Sequence, residues 1–408
     1  MSVVSTLALL ALTTAAAPEL TRPVEVPFTV TESAMVVDAT INGRKLSFMF
    51  DTGFSGTATV GQSVNLGKPT GYINLRDFVG QFQAPTYDVT SFKMGDLNLD
   101  PTDLRIVQDR GDGYTDSYGV HVDGIMGMQP FSKYVMEINF ERNVLIFHPR
   151  SVDITQRKPD NKRTFLSRLL PTGKDSLEMT VTAENGKRMV LALDTGNGFY
   201  ATTHRNVLER LGLWPKDQKP NYMRAAGVAS GTVESWYAQL RNVNIYGVPV
   251  ANSYWSIIDL PSSSAEHDGT IGFQFLKHFN TIIDLERRRV WMENFSGEVE
   301  NEEVAEIGCQ AYFFPNEGRA LIVRVMPGSP ADKAGVRRGD VLLSIDGREP
   351  LERSFRKLNE RFEGEDGSTV NLALSRDGAL IRLDIVRKPL INRAYLDADG
   401  NPVAASGS

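Results

Sequence analysis

The sequence predicts a mainly β protein built from two similar halves, followed by a smaller α+β domain. Three observations carry that prediction. An apolar strand ending on Asp-Thr-Gly occurs twice, as Lys45-Leu-Ser-Phe-Met-Phe-Asp51-Thr52-Gly53 and as Arg188-Met-Val-Leu-Ala-Leu-Asp194-Thr195-Gly196. Each copy follows an Asn-Gly turn, Asn42-Gly43 or Asn185-Gly186, the strongest short hairpin signal. An acidic run over residues 298–306 then marks a boundary, beyond which the pattern changes.

The elements follow in chain order. Residues 3–12 are an apolar run too short to span a bilayer, which takes about 20 residues. With Thr13-Thr14-Ala15-Ala16-Ala17-Pro18 behind it, the run reads as a secretory signal peptide over residues 1–17. Export follows, to a bacterial periplasm or outside the cell. No other apolar stretch is long enough to anchor the chain in a membrane.

The first half covers residues 18–155 and the second 156–297. Their agreement continues past the Asp-Thr-Gly loops: Asp123-Gly124-Ile125-Met126-Gly127 is matched by Asp268-Gly269-Thr270-Ile271-Gly272. Further on, Ile138-Asn139-Phe140-Glu141-Arg142 is matched by Ile283-Asp284-Leu285-Glu286-Arg287. Gly, Pro and Asn punctuate strand-like sequence between these landmarks. Short helices are expected at 130–136, 204–211 and 272–278, and residues 156–163 read as a solvated connection.

Composition narrows the function. Against 50 acidic side chains stand 44 basic ones, a net charge of -6, so nothing global favours nucleic acid. A single cysteine, Cys309, excludes an intrachain disulfide and a cysteine-built metal site. There is no His-Glu-x-x-His, no Gly-x-Ser-x-Gly and no phosphate loop, and residues 109–116 lack the spacing of a calcium loop. No metal and no cofactor is expected.

Asp-Thr-Gly followed about 75 residues later by apolar-apolar-Gly, and occurring twice, resembles the retropepsin-like and pepsin-like aspartic proteases with both lobes in one chain. The resemblance covers residues 24–297 and implies a bilobal acid-protease-like β-barrel fold. It implies that Asp51 and Asp194 are catalytic and meet at a pseudo-twofold axis. Thr52, Gly53, Thr195 and Gly196 would support the loops, with the threonines bonding across the junction. Gly127 and Gly272 would lie beneath the loops, where close packing excludes a side chain.

Two carboxyls suit amide hydrolysis, which needs a base for the water and an acid for the departing group. Held close together they keep one shared proton. Phe54 and Asn197 depart from the Ser, Thr or Ala usual after Asp-Thr-Gly. These departures favour the alternative, a non-catalytic peptide-binding adaptor. Residues 77–82 and 225–231 are placed as candidate flaps over the cleft. One chain carries both halves, so a monomer is expected.

The C-terminal segment reads Met326-Pro-Gly328-Ser329-Pro330-Ala331-Asp-Lys-Ala334-Gly335-Val336-Arg-Arg-Gly339-Asp340-Val341. It resembles a PDZ domain of the bacterial protease-associated type over residues 303–389. Ser329 can cap a short helix with Pro330 first inside it and Gly335 past its end. Asp346-Gly347 makes a hairpin turn, and residues 351–362 form the second helix. Such a module adds a peptide to a sheet edge and captures a C-terminal carboxylate, here through Ile307, Gly308, Cys309 and Gln310. Partners are therefore polypeptide substrates and the C-termini of peptides or proteins. Residues 390–408 read as a flexible tail. Together these readings describe an exported aspartic endopeptidase with a peptide-reading PDZ domain.

Overall fold

The computed structural model describes residues 20–76, 81–109, 118–172, 176–216, 218–228, 231–262 and 267–392. The expected signal segment lies outside the described residues, as do most of the tail and residues 77–80 and 229–230 of the candidate flaps. The chain is mainly β.

In each half, a hairpin delivers an Asp-Thr-Gly loop. The strands Met35–Ile41 and Arg44–Phe50 are joined through Asn42 and Gly43, at φ 51° and 76°. Both values suit the twisted two-residue turn that Asn-Gly favours. In the second half, Glu178–Thr182 pairs antiparallel with Arg188–Leu193. Alternate residues of these strands point inward, so Leu46, Phe48 and Phe50, and likewise Met189, Leu191 and Leu193, enter the core. Burying each such side chain stabilises the fold by roughly 1.5–3 kcal/mol.

The first hairpin belongs to a ten-stranded sheet and the second to a seven-stranded one. In both, the strand that ends on Asp lies parallel to the strand of the downstream motif: Arg44–Phe50 beside Gly124–Met126, and Arg188–Leu193 beside Gly269–Ile271. On its other side each downstream strand packs tightly against an antiparallel neighbour, Ala58–Val60 or Ala201–His204. A Cβ on Gly124 would lie 1.9 Å from the Thr59 carbonyl oxygen, and one on Gly269 2.1 Å from that of Thr202. Only glycine fits there.

A six-stranded sheet takes three strands from each half. Its order is Val24–Pro27, Val144–His148, Val135–Asn139, Phe279–Asp284, Arg289–Asn294 and Thr164–Arg168. Corresponding strands of the repeat sit at mirrored places in that order, and the two halves meet where Val135–Asn139 pairs antiparallel with Phe279–Asp284. One apolar core runs through both halves, while a separate core lies inside residues 307–385.

Local expectations fare unevenly. The helix expected at 130–136 is only a 3₁₀ turn, Gln129–Phe131, because Val135 and Met136 are taken into the six-stranded sheet. Arg205–Leu211 and Phe273–Leu276 are helical. The connection at 156–163 is an exposed turn, in which Asp160 accepts bonds from the Lys162, Arg163 and Thr164 amides.

The C-terminal segment forms a five-stranded antiparallel sheet, ordered Cys309–Phe314, Arg319–Val325, Val341–Ile345, Thr369–Arg376 and Ala379–Val386. Ser329 caps the helix Pro330–Lys333, accepting from the Asp332 amide at 3.3 Å. The second helix is shorter than expected, Phe355–Glu360, because Ser354 caps it by accepting from the Lys357 amide. Residues 390–392, expected to open the tail, dock on the second half through Asn392, whose amide donates to Tyr237 O at 2.9 Å. No helix among the described residues is long and apolar enough to cross a membrane.

Candidate functional site

The two Asp-Thr-Gly loops meet, and they do so with near-twofold symmetry. Asp51 N donates to Met126 O at 2.8 Å, and Asp194 N to Ile271 O at 3.0 Å. Thus each downstream strand holds its aspartate in place. Across the junction, Thr52 N donates to Thr195 Oγ1 at 3.1 Å and Thr195 N to Thr52 Oγ1 at 3.0 Å. Each hydroxyl then donates onward to the opposite strand, Thr52 to Leu193 O at 2.8 Å and Thr195 to Phe50 O at 2.7 Å. Both threonines are buried. Four bonds in a dry junction fix the loops relative to one another.

Within each loop, one carboxylate oxygen accepts two backbone amides. Asp51 Oδ1 takes Gly53 N at 2.8 Å and Phe54 N at 3.1 Å, while Asp194 Oδ1 takes Gly196 N at 2.9 Å and Asn197 N at 3.0 Å. The glycines let the carboxyls approach. A Cβ on Gly53 would lie 2.6 Å from Asp194 Cγ, and one on Gly196 2.4 Å from Asp51 Cγ.

The electrostatics follow from this contact. Burial pushes the Asp51 carboxyl well above the usual range, and the Asp194 charge and a hydrogen bond with Asp194 push it the same way; the Gly53 and Phe54 amides pull it back. Burial also raises Asp194, against the bond from Asp51, the Asn197 amide, the His267 charge and the Gly196 amide. Two such carboxyls cannot both ionise near neutrality, so the pair holds one shared proton. The arrangement places an acid and a base in one spot.

Gly127 and Gly272 lie under the loops. A Cβ there would sit 2.4 Å from Phe54 O and 2.1 Å from Phe199 O. Phe54 folds its ring over Gly56 and Gly127, and only its backbone serves Asp51. Asn197 braces its own loop, donating to Thr202 Oγ1 at 3.0 Å and Thr270 Oγ1 at 2.7 Å and accepting from Phe199 N at 3.0 Å.

Sequence reasoning gave no role to three further residues. Asp123 and Asp268 accept the Ser47 and Val190 amides at 2.8 and 3.0 Å, tying each downstream motif to its hairpin. Their recurrence in both copies was the available signal. Tyr118 has its phenol pushed upward by burial and then by the charges of Asp51 and Asp194, which puts it in the field of the pair. No motif surrounds it.

The candidate peptide-binding residues are buried. Gly308, at φ 79°, accepts from Met326 N at 2.8 Å and from Ser329 Oγ at 3.2 Å. Ile307 accepts from Ala331 N at 2.8 Å, and burial raises the Cys309 thiol. Gln310 turns away to the second half, where its side-chain amide accepts from Ala225 N at 2.8 Å and donates to Ala225 O at 3.1 Å. Ala225 lies on Arg224–Val228, the edge strand that forms a hairpin with Gly231–Ile245 and belongs to a candidate flap.

Residues 321–376 match the family model of the PDZ domain. The C-terminal segment is a PDZ domain. Among curated proteins, the chain is 33% identical over 107 residues to a Brucella suis protein bearing a zinc-metalloprotease name, a match spanning 24% of this chain and 28% of that one. It is 32% identical over 88 residues to the periplasmic pH-dependent serine endoprotease DegQ of Escherichia coli, spanning 21% and 19%. The chain thus spans less than a third of the length of these relatives. A solved aspartic proteinase from Irpex lacteus overlays 67% of this chain and 98% of its own at 15% identity, with a TM-score of 0.41 that is too low to assign a fold.

These relatives correct the catalytic type expected from the sequence. Those with a type in their names are called serine proteases or zinc metalloproteases, and others are Do-like or carboxy-terminal processing proteases. None of these relatives bears an aspartic-type name, so the aspartic-type endopeptidase expected from the sequence is not upheld. The physical reason for the overreach is that paired carboxyls after strand-ending turns identify an acid–base arrangement, whereas a family assignment needs matching sequence along the chain.

Proposed function

We propose that this protein is a PDZ-bearing hydrolase of the protease class in which Asp51 and Asp194 are the working groups and Thr52, Gly53, Thr195 and Gly196 hold them. The reading concerns these residues and not membership of a protease family. The observation that carries it is the contact of two carboxyls, one from each half, over glycines that admit nothing larger. Such a pair supplies one acid and one base, the two roles that hydrolysis of an amide demands. Residues 18–155 and 156–297 are read as the two halves of a bilobal, acid-protease-like arrangement, supported by the mirrored strand order of the six-stranded sheet. The PDZ domain at 303–389 supplies peptide binding and favours polypeptide C-termini as partners. The apolar run at 3–12 supports export, and the presence of both Asp-Thr-Gly copies in one chain supports a monomer.

Turnover of carboxymethylated casein from about pH 3 to 8, spanning the range of raised carboxyls, tests the reading. Asp51→Asn and Asp194→Asn should each abolish it. Turnover that survives both substitutions and is lost to a serine-directed fluorophosphonate or to a chelator would place the working groups elsewhere. Absence of turnover in the parent protein at every pH would leave a peptide-binding adaptor.

A further inference from the structure

The PDZ domain stands against the rim of the paired-carboxyl site rather than apart from it. Its helix Phe355–Glu360 extends two side chains, Arg356 and Lys357, toward the two halves. Arg356 lies 3.9 Å from the Glu32 carboxylate of the first half. Its guanidinium would also come within 3.6 Å of a Cβ on Gly198, four residues after Asp194 in the second half. Ser33 packs against the same glycine, at 3.2 Å by that measure, so the guanidinium lies where the two halves approach each other. The next residue, Lys357, would place Nζ 2.9 Å from a Cβ on Gly119, the neighbour of Tyr118. Two adjacent cations on one helix therefore reach the loop beside each half's contribution to the site.

The same helix closes the groove of its own domain. Cys309–Phe314 is an edge strand of the PDZ sheet, and its unpaired side faces this helix. An incoming peptide would bond there through its backbone. That place is taken at Ala311. Asn359 Oδ1 accepts the Ala311 amide at 2.8 Å, and Asn359 Nδ2 donates to the Ala311 carbonyl at 2.9 Å. One side-chain amide thus reproduces the donor and acceptor of a peptide unit. Asn359 Nδ2 also donates to Phe355 O at 2.6 Å, which ties the capping group to the first turn of the helix. The position before Ala311 is Gln310, which caps Ala225 of the second half in the same reciprocal way.

From this we infer that the PDZ domain is a built-in clamp on the Asp51–Asp194 site, released when an extended peptide with a free C-terminus replaces Asn359 on Ala311. The inference rests on the reading of Asp51 and Asp194 as working groups. A ligand that pairs with Ala311 must displace the Asn359 amide, and the helix bearing Asn359 also bears Arg356 and Lys357. Peptide in the groove and the helix at the rim therefore compete for one position of one element. Peptide binding and opening of the site are coupled in both directions.

Two measurements on the full chain test this. The first is amide hydrogen exchange in an Asp51→Asn background, where added peptide is not consumed. Saturation with random-sequence decapeptides bearing free C-terminal carboxylates should speed exchange in residues 31–34 and 196–200. An Arg356→Glu/Lys357→Glu variant should show the faster exchange without peptide, and further peptide should add nothing. Unchanged exchange in both experiments overturns the clamp. The second is turnover of carboxymethylated casein, which the double charge reversal should raise by ~5-fold or more, the low end of measured site-to-site coupling. A fall in turnover would overturn the clamp and make the helix a substrate-presenting surface. Turnover that survives Asp51→Asn in the otherwise unaltered chain defeats the underlying site reading instead, and the exchange result stands apart from it.

Discussion

The hydroxyls of Thr52 and Thr195 each donate one bond and accept another across the junction between the halves, so neither can be lost without orphaning a buried group. Replacing either by Ala should destabilise the protein by about 1–3 kcal/mol, the cost of leaving buried amide and hydroxyl partners unmet. Replacement by Ser should recover most of it, and thermal unfolding distinguishes the two. The Asp51 carboxyl behaves in the opposite sense. Burial first, then Asp194, raises it above its unfolded value, so protonation favours the fold. That stabilisation is present below the unfolded carboxylate range and is lost as pH rises through the raised value. Asp51→Asn removes the titration, and the variant should be more stable than the parent at pH 7. The gap should close as the pH falls toward about 4, which a series of unfolding curves would show. A variant less stable than the parent at pH 7 would mean that the pair is not frustrated by its own charge.

At the scale of elements, the strand beneath each Asp-Thr-Gly loop packs against its antiparallel neighbour with no room for a side chain. With a Cβ 1.9 Å from Thr59 O, Gly124→Ala must displace backbone, and a loss of at least ~3 kcal/mol is expected. Gly227, in an edge strand with nothing within 4 Å of its would-be Cβ, is the control: Ala there should change stability by less than ~0.5 kcal/mol. The hairpins that deliver these loops were legible because Asn-Gly turns and alternating apolar residues act locally. The missing helix at 130–136 was not, because pairing of Val135 and Met136 with a strand from the other half overrides local preference. The PDZ helix is shorter than the 351–362 expected for a local reason: Ser354, and not a residue near 351, makes the cap.

The whole molecule is joined by contacts of very different worth. Arg224 and Glu306 form an ion pair in which both side chains are buried, and the guanidinium also lies 4.0 Å over the Tyr237 ring. Arg224→Ala would strand Glu306 in the interface at a cost of about 3–5 kcal/mol. Adding Glu306→Gln should restore part of that, measured as the Tm of single and double variants. The exposed pair of Arg324 with Glu234 spans the same interface, and its loss should cost no more than ~1 kcal/mol. Equal effects from the two pairs would refute this ranking.

What the sequence alone determined is everything that short-range chemistry encodes: two strand-ending Asp-Thr-Gly loops, the turns that feed them, the Ser-Pro cap and the strand pattern of the PDZ segment. A turn residue or a cap acts on neighbours within a few positions, so its signature survives without the fold. The repeat extended that reach, since residues alike in both halves, such as Asp123 and Asp268, were bound to do alike things. The tertiary structure alone decided which surfaces meet. Gln310 lies 85 residues from the strand it caps, and Asn359 lies 48 residues from the edge it closes. No periodicity marks such residues, because a polar side chain on a loop or helix face looks the same in sequence whether it faces water or another domain.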